Sequence, residues 1–114
     1  MSLQSYPAHL RLRKKAEYQV VYTHGRRYST AHFVVYILPK AQTRPRTGLA
    51  VSKKVGCAVQ RNRVKRLLRE FFRLHAELLP QAADIAVVAK KQACYIANLH
   101  QVEVELGSLC AKLS

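Results

Sequence analysis

Hydrophobic and polar positions along this chain repeat with helical and strand periods, which together predict three helices and several short strands. Residues 12–23 predict a first helix, and Gly25 is a suitable stop for it. Residues 59–79 predict a long second helix that ends before Pro80. Residues 98–113 predict a last helix, because leucine and valine recur there on one side.

Runs of β-branched and aromatic residues predict the strands between these helices. Residues 32–38 form the clearest run, and residues 26–29 predict a short strand paired with it. Residues 47–52 predict a third strand, and the nearly continuous apolar run at 84–89 is typical of a central strand. The predicted order is α-β-β-β-α-β-α, which indicates an α+β two-layer sandwich with helices covering a small sheet.

The length of 114 residues predicts one domain spanning 1–114, with residues 1–10 as an extended lead-in. Hydrophobic residues make up 49% of the chain, which is enough to form a core. The three cysteines include no C-x-x-C pair, and we find neither a signal peptide nor an apolar run of about 18 residues. We therefore expect a cytoplasmic protein with reduced thiols.

The whole chain has a formal net charge of +14, and its positive charge is concentrated in the first two thirds. Residues 1–73 contain 17 lysines and arginines and two acids, Glu17 and Glu70. Residues 74–114 contain three lysines and four acids. Such an excess of positive charge repels itself unless a polyanion neutralises it. Nucleic acid and an anionic membrane surface are the two candidate polyanions.

The second predicted helix separates into an apolar side and a cationic side when its residues are spaced about 100° apart. Arg63 falls at the far border of the apolar side, apart from the other cations. A simple solvated face would mix acids with bases, whereas like charges four residues apart repel each other, so the pattern favours a polyanion site. We call the cationic side the cationic ridge, and it consists of Arg61, Asn62, Lys65, Arg66, Arg69 and Arg73.

Two further features leave alternatives open at this point. The turn at residues 55–58 either offers free backbone N–H groups to a phosphate or is only a tight connection into the helix. Aromatic side chains on the first helix and on the strand at 32–38 either fill the core or line a groove where bases stack. These aromatic residues are Tyr18, Tyr22, Phe33 and Tyr36.

Residues that would support catalysis by the protein itself are scarce. The chain has six carboxylates and five histidines, and the histidines lack metal-ligand spacing. No phosphate-binding glycine loop occurs. A protein-only nuclease needs acidic residues to hold its metal ions, so an autonomous nuclease is disfavoured.

One segment combines SKKVG at residues 52–56, AV at 58–59 and RNRVKRLLR at 61–69. This segment resembles the signature of the protein subunit of bacterial ribonuclease P. EYQVVY at 17–22, FVVY at 33–36 and DIAVVA at 84–89 extend the resemblance over most of the chain.

The resemblance implies a left-handed βαβ crossover, where the general rule would predict a right-handed one. It implies that the RNA subunit carries catalysis, with Mg²⁺ held by the holoenzyme, chiefly by the RNA. The implied partners are the catalytic RNA subunit and precursor tRNA, whose 5′ leader is removed, with no membrane and no protein partner. The alternative is a structural ribosomal or general RNA-binding protein that has no preference for a leader.

The resemblance also assigns site residues. A cleft lined by Tyr18, Tyr22, Phe33 and Tyr36 would hold the single-stranded leader. The family often has phenylalanine where Tyr18 and Tyr22 stand here, and a small polar residue is common at Cys57, which leaves the role of Cys57 open. The RNA subunit would be bound by Lys53, Lys54, Arg61, Asn62, Arg63, Lys65, Arg66 and Arg69.

Overall fold

The computed structural model describes residues 11–40 and 45–113, so the predicted lead-in at residues 1–10 lies outside the described residues. The described chain confirms the α+β class and the predicted order of elements. Its helices are Lys15–His24 (α1), Ala58–Leu74 (α2) and Leu99–Leu113 (α3). Its strands are Arg26–Ser29 (β1), Phe33–Pro39 (β2), Arg46–Ala50 (β3) and Ala83–Ala89 (β4).

The four strands form one mixed sheet in the order β1-β2-β4-β3. β2 pairs antiparallel with both β1 and β4, whereas β3 and β4 are parallel. Because α2 connects these parallel strands, β3-α2-β4 is a βαβ unit. The handedness of this crossover stays a prediction from the resemblance. The apolar strand β4 lies inside the sheet, as its sequence predicted.

Helices α2 and α3 cover one face of the sheet and form the main core. The inward side chains of β2 and β4 alternate with outward ones, as expected for strands. Most of the inward side chains are almost fully shielded from solvent. The main core includes Phe33, Val35, Ile37, Ile85 and Val87 from the sheet, Val64, Leu68, Phe71 and Phe72 from α2, and Val102, Leu106 and Cys110 from α3.

The prediction that the second helix runs to Leu79 is wrong. α2 ends at Leu74, and a short 3₁₀ turn at Ala76–Leu78 follows it. His75 leaves the helical backbone conformation (φ −124°, ψ 33°), and its ring bonds to the Glu103 carboxylate on α3. The helix thus ends at a residue that makes a tertiary contact, several residues before the proline that sequence rules predicted as its end.

Helix α1 packs on the opposite face of the sheet, where small residues leave room for its tyrosines. Tyr36, Ala86 and Gly48 lie side by side on neighbouring strands. A Cβ atom added at Gly48 would lie 2.5 Å from the Tyr18 hydroxyl and 2.7 Å from the nearest ring carbons. The absence of a side chain at Gly48 thus lets α1 approach β3 closely.

The first helix begins three residues later than predicted because the preceding segment pairs with the edge of the sheet. Arg11 forms a parallel bridge with Thr47, and the Leu12 N–H donates to the Thr47 carbonyl over 2.7 Å. Leu12 is buried in this extended conformation. The helix starts only where the chain leaves β3.

An ionic network fixes the start of α1 to the sheet. Asp84, only 1% exposed, accepts two hydrogen bonds from Arg46, Nε to Oδ1 over 2.9 Å and Nη2 to Oδ2 over 2.7 Å. Lys40 lies 2.9 Å from the same carboxylate. The remaining arm of Arg46 donates to Glu17 over 2.8 Å. A buried carboxylate requires such partners, since an unpaired buried charge is strongly destabilising.

Glu17 also caps the helix it belongs to. Its Oε1 accepts the N–H groups of Arg13 and Lys14, each over 2.9 Å. These backbone hydrogen bonds, aided by Arg46, hold the pKa of Glu17 at about 2. The carboxylate is charged at neutral pH, accepts hydrogen bonds from free backbone N–H groups at the helix start, and interacts favourably with the helix dipole.

Helix α3 begins at Leu99, one residue after its predicted start. The Asn98 side chain accepts the Gln101 N–H over 3.1 Å, and Gln101 accepts the Ala97 N–H over 2.8 Å. Its two glutamates face the rest of the molecule: Glu103 bonds to His75, and Glu105 accepts the His32 N–H over 2.8 Å. The acids of the C-terminal third thus hold the scaffold together.

The close contact at Gly48 predicts opposite effects for two glycine substitutions. Gly48→Ala should lower the free energy of unfolding by about 1–3 kcal/mol, because the new methyl group collides with the Tyr18 ring. Gly107→Ala should raise it by up to about 1 kcal/mol, since nothing lies within 4 Å of the new Cβ and alanine favours a helix. Urea unfolding of both variants tests this, and an unchanged Gly48→Ala stability would contradict the packing of α1.

The low pKa of Glu17 predicts a pH dependence of stability. In the unfolded chain this carboxyl titrates near 4.5, whereas in the folded chain it titrates near 2. The unfolded state therefore binds more protons between these values, and stability falls as pH drops from about 4.5 to 2. We expect Glu17→Gln to be less stable at pH 7 and to lose less on acidification.

The matched control is Glu77→Gln, which removes an exposed glutamate that forms no ion pair among the described residues. It should keep the acid dependence of the unmodified chain. Thermal unfolding monitored by circular dichroism at pH 2, 3, 4.5 and 7 measures the difference. Parallel curves for Glu17→Gln and Glu77→Gln would contradict the role given to Glu17.

Candidate nucleic-acid interface

Three tyrosines form a continuous aromatic surface on the α1 side of the sheet. The ring centroids of Tyr18 and Tyr22 are 6.1 Å apart, and those of Tyr22 and Tyr36 are 4.9 Å apart with planes at 61°. All three side chains are half-buried, so each keeps part of its ring accessible. We call Tyr18, Tyr22 and Tyr36 the tyrosine surface. Partly exposed rings at these spacings can receive unstacked bases.

Tyr18 differs from the other two because its hydroxyl is bonded to the backbone. The hydroxyl accepts the Leu49 N–H over 3.2 Å and donates to the Leu12 carbonyl over 3.3 Å. It thereby links the N-terminal segment to β3. Burial raises the pKa of Tyr18 and of Tyr22, so both hydroxyls stay protonated at neutral pH. A phenylalanine at Tyr18 could not make this link.

Phe33 does not belong to the tyrosine surface, so the prediction that it lines the same cleft is wrong. Its side chain is 0% exposed and packs in the main core under α2 and α3. Phe33 and Tyr36 are three residues apart on β2, and an odd spacing places two side chains on opposite faces of a strand. Phe33 supports the sheet from below and is inaccessible to a base.

Strand pairing shows which cation of β1 shares a face with the tyrosine surface. Arg27 lies directly opposite Tyr36 in the β1–β2 pair, which places both side chains on the same face. Arg27 is exposed. The alternation within β1 alone could not assign this face, because it depends on the register of pairing with β2. Arg27 extends the positive charge beside the rings.

The cationic ridge lies on the outer side of α2, as its spacing predicted. Asn62, Arg66 and Arg69 are exposed, and Lys65 is half-buried. Arg61 donates from Nε to the Gly56 carbonyl over 3.2 Å, which holds its guanidinium at the start of the helix. Among the described residues, no carboxylate lies within ion-pair distance of these ridge cations.

Arg73 is the exception on the ridge. It donates twice to Glu70, over 2.9 Å from both Nε and Nη2. The pair raises the pKa of Arg73 and lowers that of Glu70. Because an acid already neutralises Arg73, the part of the ridge free for a polyanion ends at Arg69.

Lys53, Lys54 and Arg63 flank the ridge at its beginning. Lys53 and Lys54 are exposed on a 3₁₀ turn, Lys53–Val55, directly before α2. Arg63 lies off the ridge, as predicted, and its Nη2 donates to the Ala97 carbonyl just before α3. Positive charge therefore continues around the start of α2.

The turn into α2 uses its own backbone donors. Gly56 has φ 148°, a conformation that favours glycine, and a Cβ there would collide with Gln60 Oε1 at 1.9 Å. The Cys57 N–H donates to Gln60 Oε1 over 3.0 Å. Hydrogen bonds from the Gln60 and Val59 backbone lower the pKa of the exposed Cys57 thiol. Internal capping thus favours a tight connection over a phosphate site.

The ridge and the tyrosine surface are neighbours. Arg69 lies near enough to Tyr18 to act electrostatically on its hydroxyl. The strand β3, which lies beneath Tyr18, leads directly into the turn that carries Lys53 and Lys54. A single strand lying over the rings would therefore run beside a row of cations, which is the arrangement of a single-strand binding surface.

The carboxylates beside the tyrosine surface do not fit a magnesium site. Glu17 and Asp84 both bond Arg46, and Asp84 also pairs with Lys40. Within residues 11–40 and 45–113, no group of three or more His, Cys, Asp or Glu side chains is placed to hold a metal ion. The same residues include no helix that is both long and apolar enough to cross a membrane.

Two curated relatives align with most of this chain. The "Ribonuclease P protein component" of Desulfovibrio desulfuricans is 61% identical over 89 residues, covering 76% of this chain and 68% of the relative. The "Ribonuclease P protein component" of Syntrophus aciditrophicus is 45% identical over 104 residues, covering 90% of this chain and 85% of the relative.

Solved structures share the fold. The RNase P protein from Thermotoga maritima superposes with a TM-score of 0.82 at 27% identity, covering 91% of this chain and 97% of that one. The Staphylococcus aureus RNase P protein superposes with a TM-score of 0.80 at 34% identity, covering 91% of this chain and 94% of that one. The family model for ribonuclease P matches residues 6–114. The chain therefore belongs to the ribonuclease P protein component family.

Proposed function

We propose that this chain binds the RNA subunit of ribonuclease P through the cationic ridge and holds the 5′ leader of precursor tRNA on the tyrosine surface. Membership of the family places the chain in a ribonucleoprotein that acts in tRNA 5′ processing.

One observation carries this proposal: an unneutralised cationic ridge lies beside three partly exposed rings. Arg61, Lys65, Arg66 and Arg69 have no acid partner among the described residues, which is costly for the free protein. RNA phosphates would remove that repulsion and release counterions. The rings of the tyrosine surface offer what the ridge lacks, an aromatic platform for bases.

We propose that the RNA subunit carries the catalysis and holds Mg²⁺. Glu17 is fully ionised near pH 7 and already accepts three hydrogen bonds, so it is poorly suited to act as a general base. Asp84 is buried beneath Lys40 and Arg46. The protein would contribute by orienting the substrate and supplying positive charge. The cytoplasmic location expected from the sequence stays a prediction.

Reconstitution with the RNA subunit tests the proposal as a whole. At low magnesium, adding this chain should increase the rate of leader removal, because its cations replace part of the charge screening that the metal provides. The protein alone should not cleave precursor tRNA. Equal rates with and without the chain, or cleavage by the chain alone, would contradict the proposal.

Removing one ridge cation should weaken assembly with the RNA subunit. Arg66→Ala is expected to lower the affinity and to reduce the slope of log K against log salt by about one unit, since one phosphate contact is lost. Filter binding across a salt series measures both quantities. Lys112→Ala is the matched control, because it removes an exposed cation from α3. Equal slopes for the two variants would contradict the role of the ridge.

Removing one ring should affect the leader instead. Tyr22→Ala should reduce the affinity gained from a leader by about 1–3 kcal/mol if a base stacks on Tyr22. Tyr22→Phe keeps the ring and should behave like the unmodified chain. The measurement is holoenzyme affinity for precursor tRNA with and without a leader. If Tyr22→Ala gains as much from the leader as Tyr22→Phe does, the tyrosine surface is not the leader site.

A further inference from the structure

The most exposed large hydrophobic residues of the described chain lie away from the tyrosine surface. Tyr95 is 79% exposed and Val59 is 77% exposed. Single exposed hydrophobic residues are common on protein surfaces. These two differ from that background because each belongs to an element that Arg63 connects: Val59 to α2, and Tyr95 to the segment whose Ala97 carbonyl accepts a hydrogen bond from Arg63.

Arg63 connects the segment that carries Tyr95 to the face of α2 that carries Val59. Val59 precedes Arg63 by four residues, so the two side chains share a helix face. Arg63 donates to the Ala97 carbonyl, two residues after Tyr95. Arg63 therefore bridges the helix face that bears Val59 and the segment that bears Tyr95.

The backbone that carries Tyr95 is firmly anchored. Tyr95 ends the 3₁₀ turn Lys91–Tyr95, in which Ala93 is buried, and the next residue, Ile96, is buried as well. The Ala93 N–H donates to the Lys90 carbonyl over 2.9 Å, and the Ile96 N–H donates to the Ala93 carbonyl over 3.1 Å. An anchored backbone presents the ring to solvent at little entropic cost, which suits a binding contact.

The surroundings of Tyr95 are positively charged. Its turn packs against α2 and against the 3₁₀ turn that carries Lys53 and Lys54. Lys91 is exposed in the same turn. The sequence has no acid between Asp84 and Glu103. An exposed ring among cations, with phosphate-binding charge on one side, has the chemistry of a base-stacking site.

We propose that Tyr95 stacks on an unpaired base of the RNA subunit, with Val59 packing beside it and Arg63 acting as a positioning residue. This inference rests on the proposed docking of the RNA subunit on α2. It extends that docking surface past Arg63, to the border of α2 opposite the tyrosine surface. The ridge then has an aromatic contact at each border, one for each RNA.

The RNA subunit is favoured over the leader because of where the ridge lies. Arg69 marks the border of α2 beside Tyr18, whereas Arg63 marks the border beside Tyr95. A leader bound at both places would have to cross the ridge that the RNA subunit occupies. A base that stacks on Tyr95 must be unpaired, since paired bases in an RNA helix do not expose their faces.

Affinity measurements separate the role of the ring from that of charge. Tyr95→Ala should weaken binding of the RNA subunit about 5- to 150-fold, the range expected for one stacked base. Tyr95→Phe should bind like the unmodified chain, and the salt slope should be unchanged in both variants because no charge is removed. Val104→Ala is the control, as Val104 is exposed on α3.

Fluorescence gives a second, direct readout. The chain has no tryptophan, so Tyr95→Trp introduces a single reporter. Stacking on a base should quench its emission when the RNA subunit is added, whereas Val104→Trp should show no quenching. Both measurements use the full chain and the full RNA subunit.

The outcomes distinguish this inference from the proposal it rests on. If Arg66→Ala weakens RNA-subunit binding but Tyr95→Ala does not, and Tyr95→Trp is unquenched, the stacking site is overturned while the ridge stands. If neither variant weakens binding, the docking surface itself is wrong. If Tyr95→Ala reduces only the benefit of a leader, the occupant is the leader and the assignment to the RNA subunit fails.

Discussion

The buried carboxylate of Asp84 is the constraint around which the α1 side of this protein is arranged. A carboxylate that is 1% exposed has to be paired, and Arg46 and Lys40 provide the pairing. Arg46 then uses its remaining arm to hold Glu17 at the start of α1. The position of α1 on the sheet, and with it the tyrosine surface, follows from satisfying one buried charge. The pairing of Asp84 contributes by fixing where α1 packs on the sheet, since buried ion pairs contribute little net stability.

The use of charge explains how one small domain remains folded with a net charge of +14. Four of its six acids bond within the scaffold: Glu17 and Asp84 on the α1 side, and Glu103 and Glu105 on α3. A fifth, Glu70, pairs with Arg73 at the end of the ridge. Few acids are therefore left to neutralise the ridge. The free protein carries a repulsion that RNA phosphates bound at the ridge, as proposed, would relieve.

Helix periodicity predicted the ridge and the isolation of Arg63 correctly, because both depend on positions within one helix. The faces of the strand residues were harder to predict from the sequence. Placing Phe33 beside Tyr36 overlooked strand alternation, which a sequence does contain. By contrast, Arg27 lies opposite Tyr36 only because of the β1–β2 register, and α2 ends early at His75, which bonds to Glu103. Contacts between residues far apart in sequence decide such features, and no local pattern encodes them.

The central claim is that the two RNA contacts lie on separate surfaces of the protein. Photo-crosslinking tests it most directly: the holoenzyme is assembled on precursor tRNA with 4-thiouridine along the leader, and the crosslinked peptides are identified by mass spectrometry. The account predicts crosslinks to the peptides that contain Tyr22 and Tyr36, and none to the peptide that contains Tyr95. Leader crosslinks at Tyr95 or along α3, with none at Tyr22 and Tyr36, would contradict it.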